Sequence, residues 1–215
     1  MAEERVLIRG GEAQIEDRKS RFLAISFPIS SEEEAAERLK ERRKEYWDAT
    51  HHCYAYSLGP RHAVCRFSDD REPSGTAGKP ILDAILGANV QNVLVIVTRY
   101  FGGTLLGTGG LVRAYGAAAK AVLLSSGILD VTDGEEWAVL CPYEADGRLE
   151  KRLREMGLTA GKVEFGTDVA RHYFLSPEQV SDFVACVAQE SSGTALAEKL
   201  RNVRYGVLDG EVKLL

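Results

Sequence analysis

Bulky apolar residues alternate with polar ones from residue 20 to residue 28, which is the pattern of a half-buried strand. The next stretch repeats its apolar residues at helical spacing, and Ser31 with Glu34 matches a capping box. We therefore predict a helix that ends near Trp47. Two further strands are predicted at 51–58 and 62–67, joined by a turn at Gly59 and Pro60.

An apolar run at residues 93–98 has no polar face, so it predicts a central strand covered on both sides. Residues 68–79 are a loop by composition, and Pro80 is expected to open a helix that runs towards Leu86. The chain enters a Gly-rich stretch after the central strand. A longer helix is then predicted to begin near Gly109 and to end at Ser125.

A polar stretch at residues 130–136 predicts a boundary between two domains, 1–131 and 135–215. From Trp137 onward the pattern predicts the order β-α-β-β-α-β, which a ferredoxin-like domain needs. Its predicted strands after the first are 158–165, 169–175 and 203–208, with a further strand at 212–215. The chain is therefore predicted to be an α+β protein of two domains.

The composition is that of an ordinary globular protein, with 45% hydrophobic and 27% charged residues. No apolar run reaches membrane-spanning length, and the first residues are charged where a signal peptide would be apolar. We therefore expect a cytoplasmic protein with no membrane partner. The four cysteines are scattered without a Cys-x-x-Cys pair, so neither a disulfide framework nor a zinc site is expected.

The net charge of −5 is unevenly distributed along the chain. Residues 1–130 carry 17 basic and 17 acidic side chains, so the acidic excess lies entirely in residues 131–215. Lys79, Arg99 and Arg113 stand close to the loops of the neutral first part. This distribution allows nucleic-acid binding by the first part, although the whole protein is not a typical basic binder.

The Gly-rich stretch predicts a generic anion site rather than a known nucleotide motif. It lacks the Lys-Ser/Thr pair of a Walker A loop, and Val112 stands where the third glycine of a dinucleotide fingerprint would be. Exposed amides and a helix N-terminus would hold a phosphate, with Lys79 and Arg99 adding charge. The residues expected to supply the amides are Gly102, Gly103, Gly109 and Gly110. The alternative, that these glycines only permit tight turns, stays open.

Other polar residues give weaker signals. His51 and His52 are adjacent on a predicted strand and point to opposite faces, so they cannot share a metal ion. Either one of them contacts a phosphate or a base while the other packs, or, as we favour, both are purely structural. The acids of the loop either bind Mg²⁺ or cap turn amides, and its hydroxyls have no His-Asp partner. We predict no catalytic residue, metal or cofactor. The loop residues concerned are Asp69, Asp70, Glu72, Ser74, Gly75 and Thr76.

Four ordered segments together resemble the IMPACT/YigZ family: KSRF at 19–22, HHCYAY at 51–56, SDDREPSGTAGKPIL at 68–82 and RYFGGTLLGTGGLVRAYG at 99–116. The resemblance implies an N-terminal fold shared with the tRNA-mimicking domain of the ribosomal translocation factor, a mixed sheet with helices on one face. A smaller ferredoxin-like domain would follow. One position departs from the pattern, because Arg71 stands where the family usually has glycine, so Arg71 is expected to be strained or to lie in a different turn.

The resemblance implies that eukaryotic members regulate translation by engaging the activator of a stress kinase, partly through an extra N-terminal domain. This chain begins almost directly at the first predicted strand, so we do not carry that role over. Our first hypothesis is a non-enzymatic protein that binds RNA, the ribosome or a translation factor through the Gly-rich loop, with His52 or Tyr100 stacking or hydrogen-bonding. It predicts that reversing the charges of Arg99 and Lys79 abolishes binding at unchanged melting temperature.

Two alternatives come from other functional classes. The first is a nucleotide- or phosphate-metabolite-dependent enzyme that uses a kinase-like Gly-rich loop, with the loop acids holding Mg²⁺ and an acid or His51 acting as base. The second is a protein-interaction module whose glycines are structural.

Overall fold

The structure is a computed structural model that describes residues 4–215, so the first three residues of the charged N-terminus lie outside it. The chain divides into two units between Asp130 and Val131. The elements of the first unit are β1 (Glu4–Arg9), β2 (Glu12–Asp17), β3 (Ser20–Pro28), α1 (Glu32–Glu45), β4 (His51–Leu58), β5 (Val64–Ser68), α2 (Gly78–Gly87), β6 (Val90–Gln91), β7 (Val93–Tyr100) and α3 (Gly107–Ser125). The remaining elements are β8 (Gly127–Cys141), which crosses the boundary, α4 (Tyr143–Glu155), β9 (Lys162–Phe165), β10 (Val169–Leu175), α5 (Val180–Glu190), β11 (Leu196–Leu208) and β12 (Glu211–Leu214).

The first unit is built on a five-stranded sheet of order β2-β3-β7-β4-β5. The central strand β7 is buried on both faces, as its apolar run predicts. Val93, Val95 and Val97 pack in one core with α2 and α3, whereas Leu94 and Ile96 pack in another with α1. Helices therefore cover both faces of this sheet.

Two details of the predicted first domain are wrong, although the α+β arrangement in two domains is confirmed. The expected helices on one face lie on both, because β7 has apolar side chains on each face and both need cover. The expected mixed sheet is antiparallel at each of its pairings. Outside this five-stranded sheet, a parallel pairing joins β1 to β6, two short strands that the sequence analysis did not predict.

The start of α1 is set by a side chain that accepts a hydrogen bond from a free backbone amide. Ser31 caps α1 by accepting from the amide of Glu34 at 3.2 Å, whereas the Glu34 carboxylate accepts from the amide of Ser30 rather than from that of Ser31. The helix expected to open at Pro80 begins at Gly78, and the one expected near Gly109 begins at Gly107. The capping residue of α1 was therefore predicted correctly, and α2 and α3 each begin two residues before the predicted start.

The second unit has the predicted order β-α-β-β-α-β, followed by β12. Its antiparallel sheet has the order β9-β10-β8-β11-β12. In its hydrophobic core, α4 and α5 pack against one face of this sheet. The polar stretch 130–136 is not a linker but part of β8, since Val131, Gly134 and Glu136 are buried between exposed or half-buried neighbours. Within residues 4–215, no helix is long and apolar enough to cross a membrane.

Arg71 has a left-handed backbone with φ of +72°, and the preceding Asp70 has φ of +40°. A side chain in this region costs roughly 1–2 kcal/mol, whereas glycine adopts it freely but loses about 0.5–1 kcal/mol of chain entropy. We therefore expect Arg71→Gly to raise the free energy of unfolding by about 0.5–1 kcal/mol in urea denaturation. Arg66→Gly, in the extended strand β5, is the control and should lower it; equal losses in both variants would contradict the strain at Arg71.

Candidate nucleic-acid interface and the adjoining cavity

Strand pairing decides which of the predicted site residues meet. In the antiparallel pair β4 and β7, His51 lies opposite Arg99 and His52 lies opposite Thr98. Directly opposite residues share a face of the sheet, and consecutive residues point to opposite faces. His51 and Arg99 therefore lie on one side, and His52 lies on the other.

A buried carboxylate at Glu72 connects three elements on the side of His51. Its Oε1 accepts from Arg99 Nη1 at 2.6 Å and from the Tyr115 hydroxyl at 2.8 Å. His51 Nε2 lies 3.7 Å from the same oxygen. The Arg99 and Glu72 side chains are only 5% and 4% exposed, so solvent screens this ion pair very little.

Two groups behind Glu72 stay protonated. Burial, with help from Cys53 and Glu72, raises the pKa of Tyr115, so its hydroxyl remains a donor to Glu72. Burial also raises the pKa of the Cys53 thiol, which lies 3.3 Å from the Tyr115 hydroxyl. The thiolate that nucleophilic catalysis needs is therefore disfavoured at Cys53.

The loop aspartates bind backbone amides. The Asp70 carboxylate accepts from the amide of His52 at 2.7 Å. Asp69 caps the start of α2 by accepting, at 2.8–3.0 Å, from the amides of Gly75, Ala77 and Gly78. Among residues 4–215, no group of three His, Cys, Asp or Glu side chains is arranged to hold a metal ion. Asp69 and Asp70 therefore cap backbone amides, which is one of the two roles that the sequence analysis allows for the loop acids.

A cavity of about 520 Å³ opens beside this buried network. His51, Glu72 and Arg99 form its polar part, and Thr108 lines it at the first turn of α3. The apolar lining consists of Pro73, Phe101, Leu105, Leu106 and Leu111. The cavity therefore combines a few convergent polar groups with apolar walls, as small-molecule and base-binding pockets do.

The Gly-rich loop after β7 packs against the turn between β2 and β3. The amide of Gly102 donates to Ser20 Oγ at 3.1 Å. A Cβ on Gly102 would lie 2.1 Å from the carbonyl carbon of Lys19, so only glycine fits there. Gly103 is exposed with φ of +84°. The contact brings the basic turn residues next to the loop.

Three exposed cations lie in or next to this turn, and the sequence analysis did not predict them as site residues. Arg18 Nη1 donates to the Leu105 carbonyl at 3.3 Å, and the Arg21 guanidinium lies 4.8 Å from the centre of the Tyr100 ring. Lys19 lies between them in the turn. Among the residues that the structure describes, none of these three cations has an ion pair with an acidic side chain. The available signal was the KSRF segment, which was used for the resemblance but not for the site.

The start of α3 adds further positive charge. Its first turn has no acidic residue, and no side chain caps its free amides. Arg113 Nη1 lies 3.6 Å from the Cβ position of Gly109, so the guanidinium covers the first turn. Gly109 is exposed and Gly110 is buried. We call Arg18, Lys19 and Arg113 the basic rim; Arg21, which pairs with Tyr100, lies on the opposite face of the sheet, that of His52.

The other predicted residues are engaged elsewhere. Lys79 is exposed, pairs with Asp83 on α2 and does not line the cavity. The Tyr100 hydroxyl donates to Asp48 at 2.7 Å, and the Thr76 hydroxyl donates to the Pro73 carbonyl at 2.6 Å. Ser74 is exposed.

The predicted charge reversal at Arg99 and Lys79 needs correction. Arg99 is buried, so replacing it with glutamate would place two carboxylates together and lower the melting temperature. Only Lys79, of these two cations, is on the surface.

The Arg99–Glu72 pair gives a stability prediction. Arg99→Met leaves the buried carboxylate without its cation, and we expect the free energy of unfolding to fall by about 3–5 kcal/mol in urea. Adding Glu72→Gln should restore part of this loss, because the uncompensated charge is then gone. Lys79→Met, which breaks an exposed pair, is the control and should change the free energy of unfolding by less than about 1 kcal/mol. A change as small as that in Arg99→Met would contradict a structural role for the pair.

His52 gives a pH prediction. It is 6% exposed, and burial lowers its pKa, partly offset by Asp70 and reinforced by Arg43 and Arg42. Below the unfolded pKa of about 6.5, the unfolded chain takes up a proton that the folded chain resists, so stability falls as the pH drops through this window. The limiting slope for one proton is about 1.4 kcal/mol per pH unit.

We therefore expect the wild type to lose more stability between pH 7.5 and pH 5.5 than His52→Gln, measured by urea denaturation at both pH values. Taking the difference between the two pH values within each protein removes the pH-independent cost of the substitution. The same pH dependence in both proteins would contradict a lowered pKa at His52.

Comparison with known proteins agrees with the resemblance noted in the sequence. The sequence model of the Impact N-terminal domain matches residues 18–123. YvyE of Bacillus subtilis is 32% identical over 85% of this chain and 84% of its own length, and YigZ of Escherichia coli is 35% identical over 83% and 89%. A family member from Thermus thermophilus is 46% identical over 66% of this chain and 76% of its own. A crystal structure of a hypothetical protein, 32% identical, superposes with a TM-score of 0.58 and covers 94% of this chain and 98% of that one. The curated relatives are named as IMPACT family members, and this chain belongs to the IMPACT family.

Proposed function

We propose that this protein is a non-enzymatic, translation-linked regulator that binds single-stranded RNA through the basic rim of its first unit. The link to translation rests on membership of the IMPACT family, whose eukaryotic members regulate translation. The RNA ligand rests on the chemistry of the rim. The RNA is that of a ribosome or of another translation component.

The observation that carries the proposal is the placement of exposed cations next to the uncapped start of α3. Arg18 and Lys19 are adjacent like charges, and the positive end of α3 disfavours the Arg113 guanidinium that covers it. A phosphate bound among them removes both repulsions and satisfies free amides of the helix. Backbone phosphates supply such charges at regular spacing along a strand.

Exposed apolar side chains beside the rim favour a single strand over a duplex. Phe101 is 47% exposed and Leu105 is 80% exposed, although both are large apolar residues. Unpaired bases stack on exposed aromatic rings, whereas the bases of a duplex are stacked on each other. A rim that holds phosphates next to an exposed Phe101 therefore suits an unpaired strand.

The side chains that an enzyme would use have structural partners. Asp69 and Asp70 accept from backbone amides, and Glu72 accepts from Arg99 and Tyr115. The second unit, whose strand order suits a ferredoxin-like arrangement, carries the acidic excess of the chain. We assign it an accessory role, because its net negative charge disfavours phosphate contact.

The test is binding of a fluorescent, unstructured RNA oligonucleotide, measured by anisotropy at several salt concentrations. The variant Arg18→Glu/Arg113→Glu removes two rim cations, whose side chains are exposed. We expect weaker binding, and we expect the slope of log K against log salt to become shallower by about 1.4, the value for two lost single-strand phosphate contacts.

The control is Lys40→Glu/Lys120→Glu, which makes the same charge change at exposed lysines on α1 and α3 outside the rim. It should keep most of the affinity and nearly the wild-type slope. Equal loss in the two double variants would mean that only net charge matters. No binding by the wild type at low salt would overturn the proposal.

A further inference from the structure

The cavity next to the basic rim has a polar floor whose hydrogen-bonding capacity is not used up. The Nδ1–H of His51 donates to the Asp70 carbonyl at 2.8 Å, since a carbonyl oxygen only accepts. In the neutral ring, Nε2 is then an acceptor. This atom belongs to a side chain that lines the cavity.

Glu72 supplies a second acceptor. The contacts of its carboxylate with Arg99, Tyr115 and His51 all involve Oε1. Within residues 4–215, no protein donor is bonded to Oε2. A carboxylate oxygen has room for two hydrogen bonds, so Oε2 is free to bind a donor of a ligand.

Arg99 supplies an unused donor. Its Nη1 and Nη2 bond to Glu72 and Ser20, but its Nε is buried and has no partner among the described residues. The side chain is 95% buried, since only 5% of it is exposed, and it lines the cavity. A buried donor without a partner is costly, and a ligand that accepts from it would relieve that cost.

The three side chains of Arg99, Glu72 and His51 therefore present one donor and two acceptors to a bound molecule. The Watson–Crick edge of guanine, with one carbonyl acceptor and two adjacent N–H donors, is complementary to this set. Uracil has a single N–H between two carbonyls, and the edges of adenine and cytosine each offer only one donor group beside ring acceptors. Each of these bases would leave at least one of these three groups unsatisfied.

The apolar lining and the position of the cavity suit a base of an RNA strand that is bound at the basic rim. Phe101 offers an aromatic face, and the cavity volume of about 520 Å³ lies within the range of small-ligand pockets. Leu105 lines the cavity while its carbonyl accepts from Arg18, and Thr108 lines it at the start of α3. A phosphate on the rim and a base in the cavity would therefore belong to neighbouring parts of one strand.

We propose that this cavity binds one unpaired guanine base of the RNA strand held by the basic rim, with Glu72 and His51 accepting from its N–H groups. The proposal deepens the proposed function and rests on it. It adds a sequence preference that the rim alone does not provide, because phosphate contacts carry no base information.

The experiment measures anisotropy with four unstructured oligonucleotides, identical except for a single central G, A, C or U in a pyrimidine-rich strand. For the wild type we expect the G strand to bind roughly tenfold or more tighter than the other three. His51→Phe keeps an aromatic ring but removes the Nε2 acceptor, and we expect it to reduce this preference severalfold at an unchanged salt slope. His172→Phe, on β10 of the second unit, is the matched control and should leave the preference unchanged.

A second variant guards against local misfolding in His51→Phe. Thr108→Trp changes an exposed residue at the lining and places an indole in the cavity, and it should reduce the G preference in the same way. Thermal melting of each variant checks that the fold is kept. Guanosine alone, tested by thermal shift against adenosine, probes the cavity without any phosphate.

The outcomes separate this proposal from the function on which it rests. Equal binding of all four strands overturns the guanine site and leaves the rim intact. Stabilisation by guanosine without RNA binding supports the cavity and overturns the rim. If neither RNA nor guanosine binds, both proposals fail, and a protein partner becomes the next candidate for this surface.

Discussion

The buried contact between Glu72 and Arg99 determines how the first unit arranges its surface. Glu72 comes from the loop before α2, Arg99 from the end of β7, and Tyr115, which donates to the same oxygen, from α3. Removing one partner of such a pair is costly, because the other is left charged, buried and without a counter-ion. Glu72, Arg99 and Tyr115 therefore connect three segments that are far apart in sequence. The polar part of the cavity is formed where these segments meet.

The surface next to this buried network is exposed and carries positive charge that is unpaired within residues 4–215. The acids of the loop between β5 and α2 bind backbone amides and Arg99, whereas Arg18, Lys19 and Arg113 remain exposed. The close approach of Gly102 to Lys19 connects the two regions, because it places the basic turn beside the Gly-rich loop. Rigid support beneath an exposed charged surface is what a binding site needs in order to keep its geometry. Asp69 and Asp70 therefore have structural partners, and the rim and the cavity are the parts of this surface that remain for binding.

Local patterns predicted the strands that form the middle of the first sheet, since β3, β4 and β7 have clear alternation or a fully apolar run. The patterns missed β1 and β6, which are short, and β2, which is short and largely polar. The site was harder to predict. Arg99 seemed free because its partner Glu72 is 27 residues away, and Arg18 seemed irrelevant because its neighbour Leu105 is 87 residues away. Such contacts depend on strand register and on loop packing, which a single sequence does not reveal.

The central claim is that RNA binds at the rim and the start of α3. The most direct measurement is the perturbation of backbone amide NMR resonances of the full chain on titration with a short unstructured RNA. We expect the shifts to concentrate in the turn at 18–21 and in residues 101–110, with little change in residues 131–215. Shifts confined to the second unit, or none at saturating RNA and low salt, would contradict this account.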